Sequence, residues 1–371
     1  MLPSLVCHFT ATMSTAADIA PTITPYAERR RKADLVFYGS LAYTSALTVF
    51  WVVVLATGRG GGAFYSQWRI TLQSVINVAV GFTIFNLLWG LIWLGIKSLL
   101  LGKMVGFTKE ERRAAFSSRM HEPFDLPGLL ARYSERRIRI ADMIGRRGRF
   151  IVIQLAGFAY LYHSQATQPT ANFLHVFLSD NLLDAVVLSW GALAFYYVDG
   201  FLGKLYYGPQ TRVMDGSLGR ANCLLIVTLW SAFKFILVPI GARLGELFPA
   251  QSFSILFVLI WGCYTAADAT SEIVGALFGK QKIRVWGMGD VNRKSIEGTL
   301  GGFVAALALA LWAVLAHGYG GPWIGLAVAV AVSSSLVELY SPRGTDDFTM
   351  ATTNALIVWA FGVFVLPIFA R

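Results

Sequence analysis

The sequence predicts an all-α protein, a polytopic bundle of transmembrane helices. Of its 371 residues, 56% are hydrophobic and only 14% are charged, whereas soluble globular proteins carry about 25% charged residues. The hydrophobic residues also occur in runs of roughly 17–25 residues, the length that a helix needs to cross the core of a bilayer. These two observations exclude most classes of soluble enzyme.

Nine apolar runs with charged flanks are candidate membrane spans. No internal repeat or low-complexity tract is evident, so we expect a short N-terminal segment, 1–34, followed by a single membrane domain over 35–370. The approximate bounds of the spans are 35–57, 71–101, 150–167, 183–203, 222–241, 253–278, 299–317, 322–340 and 350–370.

Basic residues predict the orientation of the chain. Residues 28–32, which include three arginines and a lysine, precede the first span, and Lys and Arg accumulate on the cytoplasmic side of membrane proteins. The N-terminus is therefore predicted to be cytoplasmic, and alternation places the arginine-rich loop 102–149 on the same side. This topology explains the net charge of +10 better than nucleic-acid binding does, because no basic stretch resembles a nucleic-acid-binding module. We expect no nucleic-acid partner.

The loop 102–149 has apolar residues interleaved with its arginines. Two interpretations stay open: a helix that lies on an anionic membrane surface, or a solvated loop that only fixes the topology. The apolar residues are Leu129, Leu130, Tyr133, Ile138, Ile140 and Ile144.

Two acidic residues lie inside the sixth span, where charges are costly and therefore indicate function. Asp268 and Glu272 are four residues apart and share one face of a helix. Gly275, Gly279 and Lys280 follow. Two carboxylates, two glycines and a cation suit a metal-bound polyphosphate along a helix end. The alternative is a helix end with incidental acids and glycines that serve helix packing.

Two further polar segments are expected on the same side of the membrane. The glycine-rich segment 287–299 leads into the seventh span, and backbone N–H groups at such a helix start can bind an anion. The earlier run from Gly275 to Lys280 is not a Walker A motif, because only three residues separate its two glycines and Gln281 follows Lys280. The other segment contains Glu338, Asp346 and Asp347, which either complete a site or cap helices.

At these residues the chain resembles the dolichol kinase and phytol kinase family of CTP-dependent lipid kinases. The family's first motif, G-D-x-x-A-[SD]-x-x-G-x-x-x-G, is similar to residues 267–279, with Ala267 for Gly and Glu272 for Asp or Ser. The second, K-S-x-E-G-[ST], is intact at 294–299. The third, an acid followed by D-N-[LF]-T, is similar to Glu338 and 346–349, with Asp347 for Asn. The resemblance covers roughly residues 250–370.

The resemblance implies phosphoryl transfer from CTP, with Mg²⁺, to the hydroxyl of a membrane lipid alcohol (polyprenol, dolichol, phytol or diacylglycerol). Which acid acts as the base stays open. The implied catalytic residues are Asp268, Glu272, Glu297 and Glu338, and the implied metal ligands are Asp268, Glu272, Asp346 and Asp347. The implied nucleotide-binding residues are Gly275, Gly279, Lys280, Lys294, Ser295, Gly298 and Thr299.

Three other functions are compatible with parts of the sequence. Phosphatidate cytidylyltransferases have similar first and second motifs, but they end in a glycine- and histidine-rich signature with D-R-x-D that this sequence lacks. A transporter would use Asp184, Asp199, Lys234 and Asp268 along its pathway, but no repeat is present. The departures at Ala267 and Asp347 also allow a catalytically inactive scaffold.

Overall fold

The structure, a computed structural model, describes residues 26–57, 72–117, 124–148, 151–152, 185–198, 200–248, 253–287 and 293–369. Nearly all of the predicted span 150–167 lies outside these residues, as do Asp184 and Asp199. The described residues are mainly helical, which confirms the predicted all-α class.

Up to Leu247, the described residues form three long helices and a group of shorter ones. The helices are α1 (Tyr26–Thr57), α2 (Leu72–Leu100), α3 (Lys109–Ser117), α4 (Leu126–Arg132), α5 (135–148), α6 (Ala185–Tyr196), α7 (Gly200–Tyr207) and α8 (Gly219–Leu247). A π-helical turn, Leu101–Val105, extends α2, and a 3₁₀ turn, Val213–Leu218, precedes α8.

From Phe253 onward, the described residues form four long helices and a short β-ribbon. Helix α9 comprises Phe253–Phe257, a π-helical turn Val258–Gly262 and Cys263–Leu277, and α12 (Asp346–Ala360) continues through Phe361–Val365 and Leu366–Phe369. Between α9 and α10, β1 and β2 pair antiparallel with Lys282 opposite Ser295, a detail that the all-α prediction did not include. The remaining bounds are β1 (Lys282–Arg284), β2 (Arg293–Ser295), α10 (Ile296–Ala316) and α11 (Pro322–Tyr340).

Four helical segments of the described residues are long and apolar enough to cross a membrane. They are Leu87–Val105, Ile296–Ala316, Pro322–Tyr340 and Asp346–Ile368. The last three coincide with the predicted spans 299–317, 322–340 and 350–370, and the first lies at the end of the predicted span 71–101. The helices are therefore those of a membrane protein, whereas the number of spans and the side of the N-terminus stay predictions.

The predicted span 183–203 is not one helix. Helix α6 ends at Tyr196 and α7 begins at Gly200. The end of a helix leaves carbonyl groups without intrahelical partners. Arg220 of α8 supplies donors here: its Nη1 donates to the main-chain oxygens of Tyr196 and Val198, at 3.3 Å each. The arginine therefore stabilises a break that the apolar composition of the run does not reveal.

Helices α9 and α10 pack with their main chains in close contact. A Cβ atom added at Gly302 would lie 2.7 Å from the carbonyl oxygen of Ala267, and one added at Gly298 would lie 2.6 Å from that of Ser271. Small residues permit such an approach between membrane helices. This contact fixes the start of α10 beside the part of α9 that carries Asp268.

We expect Gly302→Ala to destabilise the protein by about 1–3 kcal/mol, because the new methyl group has no space against the main chain of α9. The measurement is the thermal unfolding midpoint of the purified protein in detergent. Gly325→Ala on α11 is the matched control, since a Cβ atom there would meet nothing within 4 Å. Equal unfolding midpoints for the two variants would contradict the close packing of α9 and α10.

Candidate active site

A cavity with about 780 Å³ of empty space, part of it open to solvent, lies beside the second half of α9. Residues from α5, the 212–214 segment, the β-ribbon and α9 to α12 line it. Eight residues that the sequence predicted are among them: Asp268, Glu272, Gly275, Lys294, Ser295, Gly298, Glu338 and Asp346.

Three carboxylates meet at one end of this cavity. Oxygen atoms of Asp268, Glu338 and Asp346, from α9, α11 and α12, all lie within 4.8 Å of one another. The Nζ atom of Lys294 lies 3.3 Å from Glu338 Oε1 and 3.7 Å from Asp346 Oδ2. Carboxylates this close repel one another, and carboxylate oxygens are preferred ligands of Mg²⁺. This three-carboxylate group therefore fits a divalent cation.

Glu272, the other acid predicted on this face of α9, has different neighbours. Its carboxylate lies 2.7 Å from Arg146 Nη1 and 3.3 Å from Arg212 Nε, and it also accepts a hydrogen bond from Arg147 Nε. Arg147 binds Asp268 as well, with Nη2 2.8 Å from Oδ1 and Nη1 2.5 Å from Oδ2. Glu272 thus forms ion pairs with three arginines and is not part of the three-carboxylate group.

The remaining predicted residues do not line the cavity. Glu297 accepts hydrogen bonds from the main-chain N–H of Gln281, at 3.0 and 3.3 Å, and Thr299 donates to the carbonyl of Ser295. Asp347 lies near enough to Asp268 and Asp346 to repel them electrostatically. The predicted residues outside the lining are Gly279, Lys280, Glu297, Thr299 and Asp347. Their assigned roles stay predictions.

Over 203 residues, the chain is 30% identical to the phytol kinase of Synechocystis sp., an alignment that covers 52% of this chain and 78% of that protein. This chain belongs to the phytol kinase family. The resemblance that the three motifs predicted is thereby confirmed. No family model and no solved structure matches the chain.

The phytol kinase motifs do not include the arginines that line this cavity or bind its acids. Arg139, Arg146 and Arg147 lie on α5, inside the loop 102–149, and Arg212 precedes the 3₁₀ turn. The sequence marked this loop as basic, but a count of basic residues predicts orientation and not which of them turn towards a site. Local sequence offers no further signal, because the contacts of Arg146, Arg147 and Arg212 with the acids of α9 join residues at least 60 positions apart.

The described part of the loop 102–149, residues 102–117 and 124–148, packs as a small folded unit against the 3₁₀ turn that precedes α8. Leu129 and Ile138 are buried together with Val213 and Met214, while Ile144 is exposed. Two of the six interleaved apolar residues therefore belong to an internal core, which a solvated loop does not explain. Contact of this unit with an anionic membrane surface stays a prediction.

A buried ion pair holds the segment that carries Arg212. Lys97 Nζ lies 3.2 Å from Asp142 Oδ1, and the two side chains are 1% and 5% exposed. Lys97 also donates to the carbonyl of Thr211, and Asp142 Oδ2 accepts from the N–H of Val213 at 2.8 Å. The pair thus binds the main chain on both sides of Arg212 and fixes where its guanidinium enters the cavity.

A second ion pair ties the 3₁₀ turn to the connection between α11 and α12. Arg343 Nη2 lies 2.8 Å from Asp215 Oδ1, and Asn222 donates to the other carboxylate oxygen at 3.1 Å. Burial lowers the pKa of Arg343 to about 10 despite the attraction of Asp215, with repulsion from Arg212 and Arg139 acting in the same direction as burial. The lining of the cavity is therefore rich in cations that lie close together.

Lys97→Met should lower the free energy of unfolding by about 3–5 kcal/mol, because it leaves the buried carboxylate of Asp142 without its cation. The double variant Lys97→Met/Asp142→Leu should recover part of the loss, since no unpaired charge remains. Lys32→Met, at a partly exposed pair with Glu28, is the control and should cost about 0–1 kcal/mol. Unfolding in detergent measures all three, and a Lys97→Met variant as stable as Lys32→Met would contradict the role of the pair.

Proposed function

We propose that this protein is an integral membrane kinase that transfers a phosphoryl group from CTP to the hydroxyl of a membrane lipid alcohol. One observation carries the proposal: in a chain of the phytol kinase family, three separate motif regions place Asp268, Glu338, Asp346 and Lys294 in one cavity. That cavity adjoins the ends of helices apolar enough to cross a membrane. The choice of CTP as donor rests on the family resemblance of the motifs.

Phosphoryl transfer depends mainly on positioning and on neutralisation of the phosphate charge. Asp268, Glu338 and Asp346 would hold Mg²⁺, which when bound offsets the negative charge of the phosphates. Lys294, held between two of these acids, would contact a phosphate oxygen of the nucleotide. Arg147 keeps Asp268 in place through two contacts, and so fixes the orientation of its carboxylate.

The acceptor would be an isoprenoid alcohol such as phytol, the substrate in the name of the Synechocystis relative, or a polyprenol. Its chain would lie against the exposed apolar faces of the membrane helices, where Leu300, Val304 and Trp312 are each about 60% exposed. One of the acids of the three-carboxylate group would accept the proton of the hydroxyl.

The test is an assay of the purified protein in liposomes with labelled CTP, Mg²⁺ and a panel of phytol, polyprenol, dolichol and diacylglycerol. We expect a phosphorylated lipid and release of CDP. Release of pyrophosphate would instead identify a cytidylyltransferase, and absence of turnover with every acceptor would contradict the kinase. Equal turnover with ATP would remove the preference for CTP but not the phosphoryl transfer.

Asp268→Asn should lower kcat by about a hundred- to a thousand-fold, the usual loss when one preorganised electrostatic contact is removed from a catalytic site. The protein should still fold, because Arg147 keeps its ion pair with Glu272. Asp34→Asn, on an exposed part of α1, is the control and should leave kcat unchanged. A well-folded Asp268→Asn variant with the turnover of the native protein would overturn the site.

We further propose nine spans with the N-terminus and residues 280–298 in the cytoplasm, on the basis of the alternating basic connections. In a Cys7→Ser background, Arg284→Cys and His317→Cys place exposed thiols on the two sides of α10, since the native Cys223 and Cys263 are buried. An impermeant thiol reagent should label His317→Cys in intact cells, but Arg284→Cys only after permeabilisation. The reverse pattern would invert the topology.

A further inference from the structure

The end of the cavity away from the three-carboxylate group is lined by cations. Arg139 of α5, Lys282 of β1 and Arg293 of β2 face it from three elements. Lys282 Nζ donates to the carbonyl of Gly275 at 3.3 Å. Gly275 lies seven residues after Asp268 on α9, a distance of about 10 Å along the helix axis. The cavity therefore has an acidic end and a basic end.

The three cations share few counter-charges. Glu135 serves both arginines, with Oε1 2.7 Å from Arg139 Nε and the two carboxylate oxygens 2.7 and 2.8 Å from Arg293 Nη2. Burial, together with repulsion from Arg139 and Arg293, lowers the pKa of Lys282, while Glu135 and Glu297 oppose this change. Two carboxylates, Glu135 and Glu297, face three cations, which leaves an excess of positive charge at this end.

A buried donor also lacks a partner here. Among the residues that the structure describes, Arg139 Nη2 is buried and has no hydrogen-bond acceptor. Buried donors in proteins are nearly always hydrogen-bonded, and crowded positive charge is costly away from water. A phosphate group corrects both conditions, because its oxygens accept hydrogen bonds from guanidinium groups and carry negative charge.

We propose that Arg139, Lys282 and Arg293 form an anion subsite for the phosphates that stay on the nucleoside, so that the transferred phosphate lies at the three-carboxylate end. This orientation rests on the proposed function. It assigns to Lys282 the phosphate contact that the sequence assigned to Lys280, whose side chain is not in the lining. It also makes α5, outside the family motifs, part of the nucleotide site.

The test measures binding of CDP to the full-length protein in neutral detergent with EDTA, by calorimetry. Because the subsite consists of side-chain cations, CDP should bind without a divalent metal. Arg139→Gln should weaken binding by about ten- to a hundred-fold, the value of a hydrogen bond to a charged group, and Arg139→Lys should recover part of it. Arg137→Gln is the matched control on the same helix, because Arg137 is exposed and does not line the cavity.

A second measurement applies even if Arg139→Gln folds poorly. Deprotonation of Lys282 removes a positive charge, so CDP affinity should fall as the pH rises through its lowered pKa, in a range where the phosphates, whose second pKa is about 6, keep their charge. Lys282→Arg, which stays protonated, should abolish this dependence. An affinity that is independent of pH in the native protein would overturn the contribution of Lys282.

The outcomes separate this inference from the proposed function. Asp268→Asn should lose turnover but should not weaken CDP binding in EDTA, because it removes a negative charge from the other end of the cavity. A protein that binds CDP through Arg139 but phosphorylates no alcohol would support the subsite and contradict the kinase. A protein that phosphorylates alcohols while Arg139→Gln and Lys282→Gln keep native CDP affinity would overturn the subsite. Binding of a lipid phosphate but not of CDP would overturn it as well.

Discussion

The arrangement of this protein depends on the compensation of buried carboxylates by cations from distant parts of the chain. Asp268, Glu272, Glu338 and Asp346 line one cavity, and unpaired charges are not stable away from water. Arg147 therefore fastens α5 to α9 through Asp268 and Glu272, and Lys294 fastens β2 to α11 and α12. Separation of either pair would leave a buried charge without its partner, which is costly. These ion pairs therefore fix the relative positions of the elements that enclose the site.

The sequence predicted the acidic residues of the site and most of the helices. Both follow from local patterns: the spacing of charged residues along a helix and the length of the apolar runs. Spacing placed Asp268 and Glu272 on one helix face, and alternation of the spans placed Glu338 and Asp346 on the same side of the membrane. The arginines could not be found in this way, since any basic residue of the loop 102–149 satisfies the orientation rule equally well. Strands of three residues are too short to show alternation, and the break after Tyr196 depends on Arg220, which lies far along the chain.

Asp268 and Glu272 show how one helix face can carry two environments. Asp268 lies within reach of two other acids, which favours a bound cation, whereas Glu272 is held by three arginines. At this position the family motif has Asp or Ser, and the longer side chain of Glu272 reaches the guanidinium groups of α5 and of Arg212. The departure from the motif thus coincides with the contacts that join the first half of the chain to the second, and Glu272 is better placed to orient arginines than to bind a metal.

The polarity of the cavity suits a reaction between a water-soluble donor and a membrane-bound acceptor. The basic end is formed by α5 and the β-ribbon, outside the apolar helices, whereas the acidic end lies where α11 ends and α12 begins. A polyanion drawn to the basic end would extend along α9 with its far end at the three-carboxylate group. Neither substrate would then need to leave its own phase, because transfer of a charged nucleotide into lipid is costly and so is transfer of a long alkyl chain into water. For the proposed kinase, the charge gradient along α9 would therefore explain how one site serves both substrates.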